Sequence, residues 1–292
     1  MERKHISVLP SRKLLPLTRR NVSNSVTVFE GRHPWGVGVT ATVVQSGGEA
    51  FVFDSLLYPE DSRELLHNIK ASSLNVKGLI NTHWHWDHTA GNQIFFETSR
   101  IVSHSLSSEL MRKFLTWDDF NRDAREEDRI RTVYPNESVA DGSVLEVGNQ
   151  EILFLHTPGH TPDSIIGCLK DEDVVIAGDT VMELPYLWYG DSRELIESLR
   201  RVQTIAGGGT VVQGHGGTCA GEKLNSDVRY IESLRSAVTE CIASGKTAKE
   251  VKDIIKLADC ADHDVLEKVS RQYEGIHSEN VEHVYGEMTQ VS

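Results

Sequence analysis

The amino-acid sequence predicts a layered α/β fold, and two features of the chain carry that prediction. Segments with strand character alternate with segments of helical spacing, which is the order typical of layered α/β proteins. In addition, side chains suited to bind a metal follow directly after short apolar runs that stop at glycine. Such a run indicates a buried strand that opens into a loop. Several strand ends are therefore expected to converge on one metal-binding point.

The first half of the chain is predicted to contain strands, one helix and a further strand. Residues 1–25 are polar and basic, and we expect them to form an N-terminal arm. Strand patterns bounded by turn residues lie at 25–29, 38–44 and 50–54. The helical spacing of Leu65 and Ile69 predicts a helix over 59–71, and an apolar run predicts a buried strand over 78–81.

The second half is predicted to alternate in the same way and then to become helical. The predicted elements are a helix over 105–131, a strand over 142–148 and a helix over 191–205. Residues 26–221 are expected to form one domain. Residues 222–292 are expected to form helices that pack on its core, and Thr247 with Glu250 indicates a capping box in this part.

The most informative stretch is residues 83–88, HWHWDH, which place four metal-binding side chains within six residues. Downstream, His160, Asp179 and His215 each lie beside a glycine after a strand-like run. Small residues at these points let the backbone come close to a metal. Imidazole and carboxylate groups at this density suit a first-row divalent metal such as zinc, manganese or iron.

This ordered set, His-x-His-x-Asp-His followed by His, Asp and His, resembles the signature of the metallo-β-lactamase superfamily. The resemblance covers roughly residues 26–217, and all seven ligand positions match. The pattern looks closest to the lactonase, glyoxalase II and general hydrolase branches. It implies a four-layer αβ/βα sandwich, to which the predicted C-terminal helices are an extension.

Carried over residue by residue, the resemblance implies two metal sites. The first metal would be held by His83, His85 and His160, and the second by Asp87, His88 and His215, with Asp179 bridging both. Zn2+ is the metal expected, with Mn2+ and Fe2+ as alternatives that the same side chains accept. Two metals about 3.5–4 Å apart can share a bridging hydroxide and polarise a carbonyl oxygen, so no serine or cysteine nucleophile is required. Asp87 would both bind a metal and orient that hydroxide.

Candidate substrate contacts lie in two loops and in the metal motif itself. Trp86 directly precedes Asp87 and is expected to line the pocket, since pocket walls are usually aromatic or apolar. His33 and Trp35 lie on an N-terminal loop, where substrate contact and plain loop packing are equally open. An aromatic stretch after Asp179 supplies the remaining candidates, Tyr186, Trp188 and Tyr189. Either tyrosine would be able to donate a hydrogen bond to an oxyanion or a proton to a leaving alkoxide, with hydrophobic packing as the alternative.

Charge and composition limit the partners. The formal net charge of −13 disfavours nucleic-acid binding, because a basic surface supplies most of that affinity. Neither a secretory signal nor an apolar run of membrane-spanning length is recognisable, so a cytoplasmic protein without a membrane partner is expected. A small-molecule substrate is the expected partner, and a homo-oligomer stays open.

The leading hypothesis is a dinuclear metallohydrolase that cleaves an ester-like bond in a small, partly apolar organic molecule. Lactone, ester, thioester and amide bonds remain open, because the substrate depends on loops. The alternative is a mononuclear iron oxidoreductase like the persulfide dioxygenases, which share the His-x-His-x-Asp-His motif. A phosphodiesterase is less favoured, because it needs a basic cleft.

Overall fold

Two β-sheets pack face to face and carry helices on their outer surfaces. The computed structural model describes residues 16–31, 33, 37–96, 100–122, 124, 126, 129–267 and 271–289. Apolar side chains of both sheets interleave between the sheets, where the rings of Phe53 and Phe154 lie 6.2 Å apart. The predicted four-layer αβ/βα sandwich with C-terminal helices is thus confirmed.

The first sheet is antiparallel in its first half and parallel in its second half. Its strands are, in spatial order, β1 (Thr18–Asn21), β2 (Val26–Gly31), β3 (Val39–Ser46), β4 (Glu49–Phe53), β5 (Asn75–Ile80), β6 (Ile101–His104) and β7 (Glu137–Val139). The change of direction after β4 places the end of β5 next to the end of β4. The metal motif begins at that end.

The second sheet is antiparallel except where the neighbouring strands β11 and β12 run parallel. Its strands are β8 (Val144–Val147), β9 (Gln150–His156), β10 (Ile165–Leu169), β11 (Val174–Gly178), β12 (Thr210–Gln213) and β13 (Thr218–Cys219). Because β11 and β12 are parallel neighbours, their carboxyl ends open at the same edge of the sheet.

The helices cover both outer faces. They are α1 (Pro59–Ala71), α2 (Trp86–Thr89), α3 (Asn92–Phe95), α4 (Ser107–Phe114), α5 (Asp118–Asn121), α6 (Ser192–Ala206), α7 (Gly221–Ala243), α8 (Ala248–Ile254), α9 (Leu257–Cys260), α10 (His263–Glu267) and α11 (Arg271–Thr289). Leu65 of α1 packs into the apolar cluster on the first sheet, and Leu199 of α6 into the cluster on the second. Among the described helices, none has both the length and the apolar character of a membrane span.

The C-terminal helices share one apolar cluster with α6 and the second sheet. Leu234 of α7 and Val281 of α11 are fully buried members of that cluster. The capping box predicted at Thr247 is confirmed, since the Thr247 side chain and Glu250 exchange hydrogen bonds at the start of α8. The domain boundary at 221–222 stays a prediction.

Two predicted elements differ from the structure. The continuous helix predicted over 105–131 is wrong, because α4 ends at Phe114 and the backbone of Leu115 after it is extended. Farther along, the side chain of Asn121 bonds both the amide and the carbonyl of Ile130, at 2.8 Å each, which favours a loop over a helix. In the N-terminal arm, β1 pairs with β2, whereas residues 1–15 lie outside the described residues.

The contact between the two sheets predicts a large stability cost for Phe53→Ala. Phe53 is 1% exposed, and removing its ring leaves a cavity between the sheets. We expect the free energy of unfolding to fall by about 3–5 kcal/mol, measured by urea denaturation followed by circular dichroism. Phe96→Ala is the matched control, because Phe96 is 60% exposed and its loss should cost less than about 0.5 kcal/mol. Equal losses for the two variants would contradict this packing.

Candidate metal centre

Loops at the ends of strands from both sheets bring the seven predicted ligands to one place. His83 and His85 follow β5, and Asp87 and His88 lie in the short helix α2. The second sheet contributes three side chains after β9, β11 and β12, namely His160, Asp179 and His215. None of the seven is more than 6% exposed. The strand ends therefore converge as the sequence predicts.

The seven side chains form two compact groups. One consists of His83, His85, His160 and Asp179, and the other of Asp87, His88 and His215. Within each group, one candidate ligand atom per residue lies within 4.8 Å of the others. This grouping matches the two ligand sets that the resemblance implies, with Asp179 in the first set.

The Asp179 carboxylate lies against both groups. Its Oδ2 is 3.4 Å from His160 Nε2 in the first group and 3.5 Å from His215 Nε2 in the second. Its Oδ1 is 3.2 Å from His88 Nε2, which also belongs to the second group. This position suits a carboxylate that is shared between two cations.

Hydrogen bonds behind the imidazoles fix how they face the centre. His88 Nδ1 bonds Asp54 Oδ2 at 2.9 Å, and His160 Nδ1 bonds the Tyr186 carbonyl oxygen at 2.8 Å. A carbonyl oxygen only accepts, so His160 Nδ1 carries the proton and Nε2 keeps its lone pair for the centre. A partner behind a ligand histidine in this way orients the ring and raises its basicity.

Asp54 is a further candidate site residue, and the sequence analysis did not single it out. It is 2% exposed and accepts two hydrogen bonds from Thr82, from the amide and from the hydroxyl, at 2.8 Å each, beside the bond to His88. Its backbone lies in the left-handed region, with φ of 59°, at the end of β4. An acidic residue that closes a buried apolar run is the signal that would have found it.

Burial and charge divide the histidines into two kinds. Burial lowers the pKa of His83 and of His85 well below the usual value, so both rings are neutral. Burial also acts on His215, but the Asp179 and Asp87 carboxylates outweigh it and raise the pKa of His215 to about 9. The two buried carboxylates thus attract positive charge to the centre, either as protons or as a bound cation.

The residues fit a divalent metal. His83 Nε2 is buried, lies 3.7 Å from Asp179 Oδ2 and makes no hydrogen bond within the described part of the chain. In the second group, His88 Nε2 and His215 Nε2 face each other at 3.4 Å. Neutral imidazole nitrogens and carboxylate oxygens are the ligands that zinc, manganese and iron accept.

Three of the four predicted substrate residues lie in the described part of the chain. His33 is buried with its Nε2 3.4 Å from Asp87 Oδ2, and its ring lies 5.2 Å from the half-buried ring of Trp86. Trp188 is half-buried in the loop after Asp179, and Trp35 lies outside the described residues. Contact of these side chains with a substrate stays a prediction.

The two candidate tyrosines differ in their surroundings. The Tyr189 ring is half-buried, 5.3 Å from the ring of His85. The Tyr186 hydroxyl instead donates a hydrogen bond of 2.9 Å to Glu279 Oε2 on α11. Burial, and then the charge of Glu279, raises the pKa of Tyr189, so its hydroxyl keeps its proton at neutral pH.

The sequence profile of the metallo-beta-lactamase superfamily matches residues 34–216, which is more than half of the chain. The chain therefore belongs to the metallo-beta-lactamase superfamily, as its motif predicts. The matched range contains all seven ligand-type residues and ends one residue after His215.

Two curated relatives of the chain are named thioesterases. The chain is 27% identical over 172 residues to the atrochrysone carboxyl ACP thioesterase of Aspergillus fumigatus, a match that covers 58% of this chain and 48% of that protein. It is 25% identical over 166 residues to the acyl-coenzyme A thioesterase MBLAC2 of Homo sapiens, covering 50% of this chain and 58% of that protein. The chain thus spans about half the length of these curated relatives. Both names describe enzymes that cleave a thioester.

Solved structures of the superfamily share the fold. A metallo-beta-lactamase family protein from Thermus thermophilus has a TM-score of 0.67 at 20% identity, covering 91% of this chain and 94% of that chain. A metallo-beta-lactamase from Pontibacter korlensis has a TM-score of 0.62 at 19% identity, covering 74% and 99%. At these identities the likeness establishes the sandwich architecture alone.

The position of Asp54 behind His88 predicts that Asp54→Asn weakens metal binding. The amide replaces one acceptor oxygen by a donor that faces the donors of Thr82 and His88. We expect the dissociation constant for Zn2+ to rise by about 10- to 100-fold, measured by competition with a chromophoric chelator. Asp141→Asn is the control, because that carboxylate is exposed and pairs with Arg201 at 2.9 Å. Wild-type affinity in Asp54→Asn would contradict the role of this carboxylate.

Proposed function

We propose that the chain is a dinuclear metal-dependent hydrolase that cleaves a thioester in a small, partly apolar acyl compound. The observation that carries the proposal is the Asp179 carboxylate, which touches imidazoles of both ligand groups. Such sharing is what a pair of cations needs and what a single cation does not need.

The proposed ligands follow the two groups. The first metal takes His83, His85 and His160, the second takes Asp87, His88 and His215, and Asp179 belongs to both. When bound, two divalent ions supply a hydroxide at neutral pH and an electrophile for the carbonyl oxygen. Zn2+ is the proposed metal, and Mn2+ and Fe2+ suit the same donors.

The thioester is favoured among the four candidate bonds by the named relatives. Both proteins described above carry names of thioesterases, one for an acyl carrier protein substrate and one for acyl-coenzyme A. A thiol has a pKa of about 8.5, so a thiolate leaves without a proton more readily than an alkoxide does. A site without an acid beside the leaving group is therefore adequate for this bond.

Aromatic rings on both sides of the centre support an apolar acyl group. On one side, the half-buried ring of Trp86 lies 5.3 Å from the ring of Phe120. On the other side, Phe114 and Tyr189 lie 5.6 Å apart and are also half-buried. Partly exposed rings of this kind bury an aryl or alkyl chain without a charged partner.

Tyr189 is the proposed donor to the oxyanion. Its protonated hydroxyl lies on a ring that packs against a ligand histidine, whereas the Tyr186 hydroxyl is bound to Glu279. Asp87 is proposed to bind a metal and to orient the attacking oxygen, and His33 beside Asp87 is proposed to contact the substrate. We further propose that the protein is cytoplasmic and binds neither nucleic acid nor membranes. A homo-oligomer is possible.

Metal content and turnover measured on one sample test the two-metal hydrolase. We expect two zinc or manganese ions per chain by elemental analysis, with faster hydrolysis of an acyl-coenzyme A thioester than of a matched lactone or amide. His85→Ala or Asp179→Ala should lose at least one metal and nearly all turnover, with an unchanged circular dichroism spectrum. His104→Ala is the control, because His104 stacks on His156 outside the ligand set and should keep both metals.

The same experiment separates the alternative. One iron per chain, no hydrolysis, and oxygen uptake with glutathione persulfide would overturn the hydrolase in favour of the persulfide dioxygenase-like activity. Two metals with hydrolysis of the lactone alone would keep the metal centre and reject the thioester.

A tyrosine comparison tests the proposed oxyanion donor. Tyr189→Phe should lower kcat by at least about 10-fold, because an oxyanion loses a hydrogen bond that matters only in the transition state. Tyr186→Phe should lower kcat by less, since its hydroxyl is committed to Glu279. Steady-state kinetics on the same thioester measure both, and equal kcat values for the two variants would remove the role of Tyr189.

A further inference from the structure

One face of α11 forms hydrogen bonds along the loop that follows Asp179. We call residues 181–191 the aromatic loop. Near the start of α11, the Tyr273 hydroxyl donates a 3.4 Å bond to Glu183 of this loop. Four further residues of α11 bond the loop or Ser192 directly after it, namely Glu279, Asn280, His283 and Glu287. They recur at intervals of one, three and four residues, which is the spacing of one helical face. The loop is thus held from end to end by a segment about 90 residues away in the sequence.

Asn280 makes the central connection. Its Oδ1 accepts a 2.9 Å hydrogen bond from the Leu187 amide, and its Nδ2 donates a 2.6 Å bond to the Pro185 carbonyl oxygen. Nδ2 also lies 3.0 Å from the Tyr230 hydroxyl. The Asn280 side chain is fully buried, so its removal would take these bonds from the Leu187 amide and the Pro185 carbonyl oxygen. The Tyr230 hydroxyl would keep its 3.0 Å hydrogen bond with His277 Nδ1.

These bonds flank Tyr186, whose carbonyl orients a ligand histidine. Pro185 and Leu187 are its two chain neighbours, so fixing both fixes the peptide plane that carries the Tyr186 oxygen. That oxygen accepts the 2.8 Å bond from His160 Nδ1. The path from Asn280 to His160 therefore consists of the hydrogen bonds of Asn280 to the loop, one short backbone segment and one hydrogen bond to the His160 ring.

A second set of hydrogen bonds connects α11 to the backbone just before His160. Glu287 accepts a 2.8 Å bond from the Ser192 amide and a 2.5 Å bond from its hydroxyl. Asp191 directly precedes Ser192, and its amide donates a 3.0 Å bond to the Gly159 carbonyl oxygen. Gly159 directly precedes His160. An added Cβ at Gly190 would lie 1.8 Å from that same carbonyl oxygen, so the two loops are in direct contact.

We propose that α11 is a working part of the metal centre and that Asn280 is a positioning residue for His160. This inference rests on the proposed function only in taking His160 as a metal ligand. Asn280 sets the Tyr186 carbonyl, the carbonyl sets the ring of His160, and the ring directs Nε2 to the metal. Loss of Asn280 lets this ring rotate and weakens the site that contains His83, His85 and His160.

The experiment compares Asn280→Ala with Glu282→Ala in the full chain. Glu282 lies on the same helix but bonds the Lys252 ammonium at 2.6 Å, away from the aromatic loop. We expect Asn280→Ala to raise the Zn2+ dissociation constant by about 10-fold or more at 25 °C. Hydrogen exchange of metal-stripped protein should also show faster exchange in residues 181–191. Glu282→Ala should match the wild type in both measurements.

The outcomes are distinct. A lower melting temperature with unchanged Zn2+ affinity and unchanged exchange in 181–191 would reduce Asn280 to a structural residue and overturn the proposal. If Asn280→Ala fails to fold, Asn280→Asp replaces it, since it keeps an acceptor for Leu187 but removes the donor to Pro185. If the wild type binds metal but hydrolyses no thioester, the proposed function fails while the metal affinities still decide this proposal.

Discussion

Two buried carboxylates surrounded by imidazoles are the interaction on which the rest of the structure depends. Burying Asp87 and Asp179 is costly unless positive charge lies beside them. That charge must come from histidines or a cation at the same point, so loops from both sheets have to meet there. Backbone hydrogen bonds tie the two sheets at this end. The Thr40 amide bonds the Gly214 carbonyl, and the Ile165 amide bonds the Thr82 carbonyl. The sandwich closes where the charges lie.

The close approach of these loops also explains particular residue choices. Gly178 has a φ of 50°, and an added Cβ there would lie 2.6 Å from Thr82 Oγ1. The same hydroxyl donates to Asp54 and lies 3.0 Å from His83 Nδ1. A larger residue at 178 would displace Thr82, and with it the hydrogen bonds of Asp54 and His83. The backbone conformation of Gly178 next to Asp179 and the orientation of His83 therefore depend on each other.

The sequence was sufficient for the features that depend on near neighbours. Short sequence segments were enough to predict the candidate ligands in residues 83–88, the strands that precede the ligands and the capping box at Thr247. The structure contains each of these features. Asp54 lies 34 residues from His88, and Asn280 lies 93 from Leu187. No periodicity encodes such pairs, because only the tertiary fold brings them together. The predicted helix over 105–131 was wrong for a related reason, since the spacing of apolar residues does not reveal that Asn121 bonds the backbone of Ile130.

The last C-terminal helix does more than cover the apolar surface that its spacing suggests. A segment that only covers such a surface would present leucine and valine to the core, as Leu234 and Val281 do. The face of α11 that meets the aromatic loop presents amide and carboxylate groups instead, and buried polar groups are costly unless each finds its partner. Asn280 finds its partners on either side of the carbonyl that holds His160. Polar satisfaction at this face therefore requires one definite conformation of the loop. That requirement makes the geometry of the metal centre depend on the polar residues of α11, a dependence that apolar packing alone would not create.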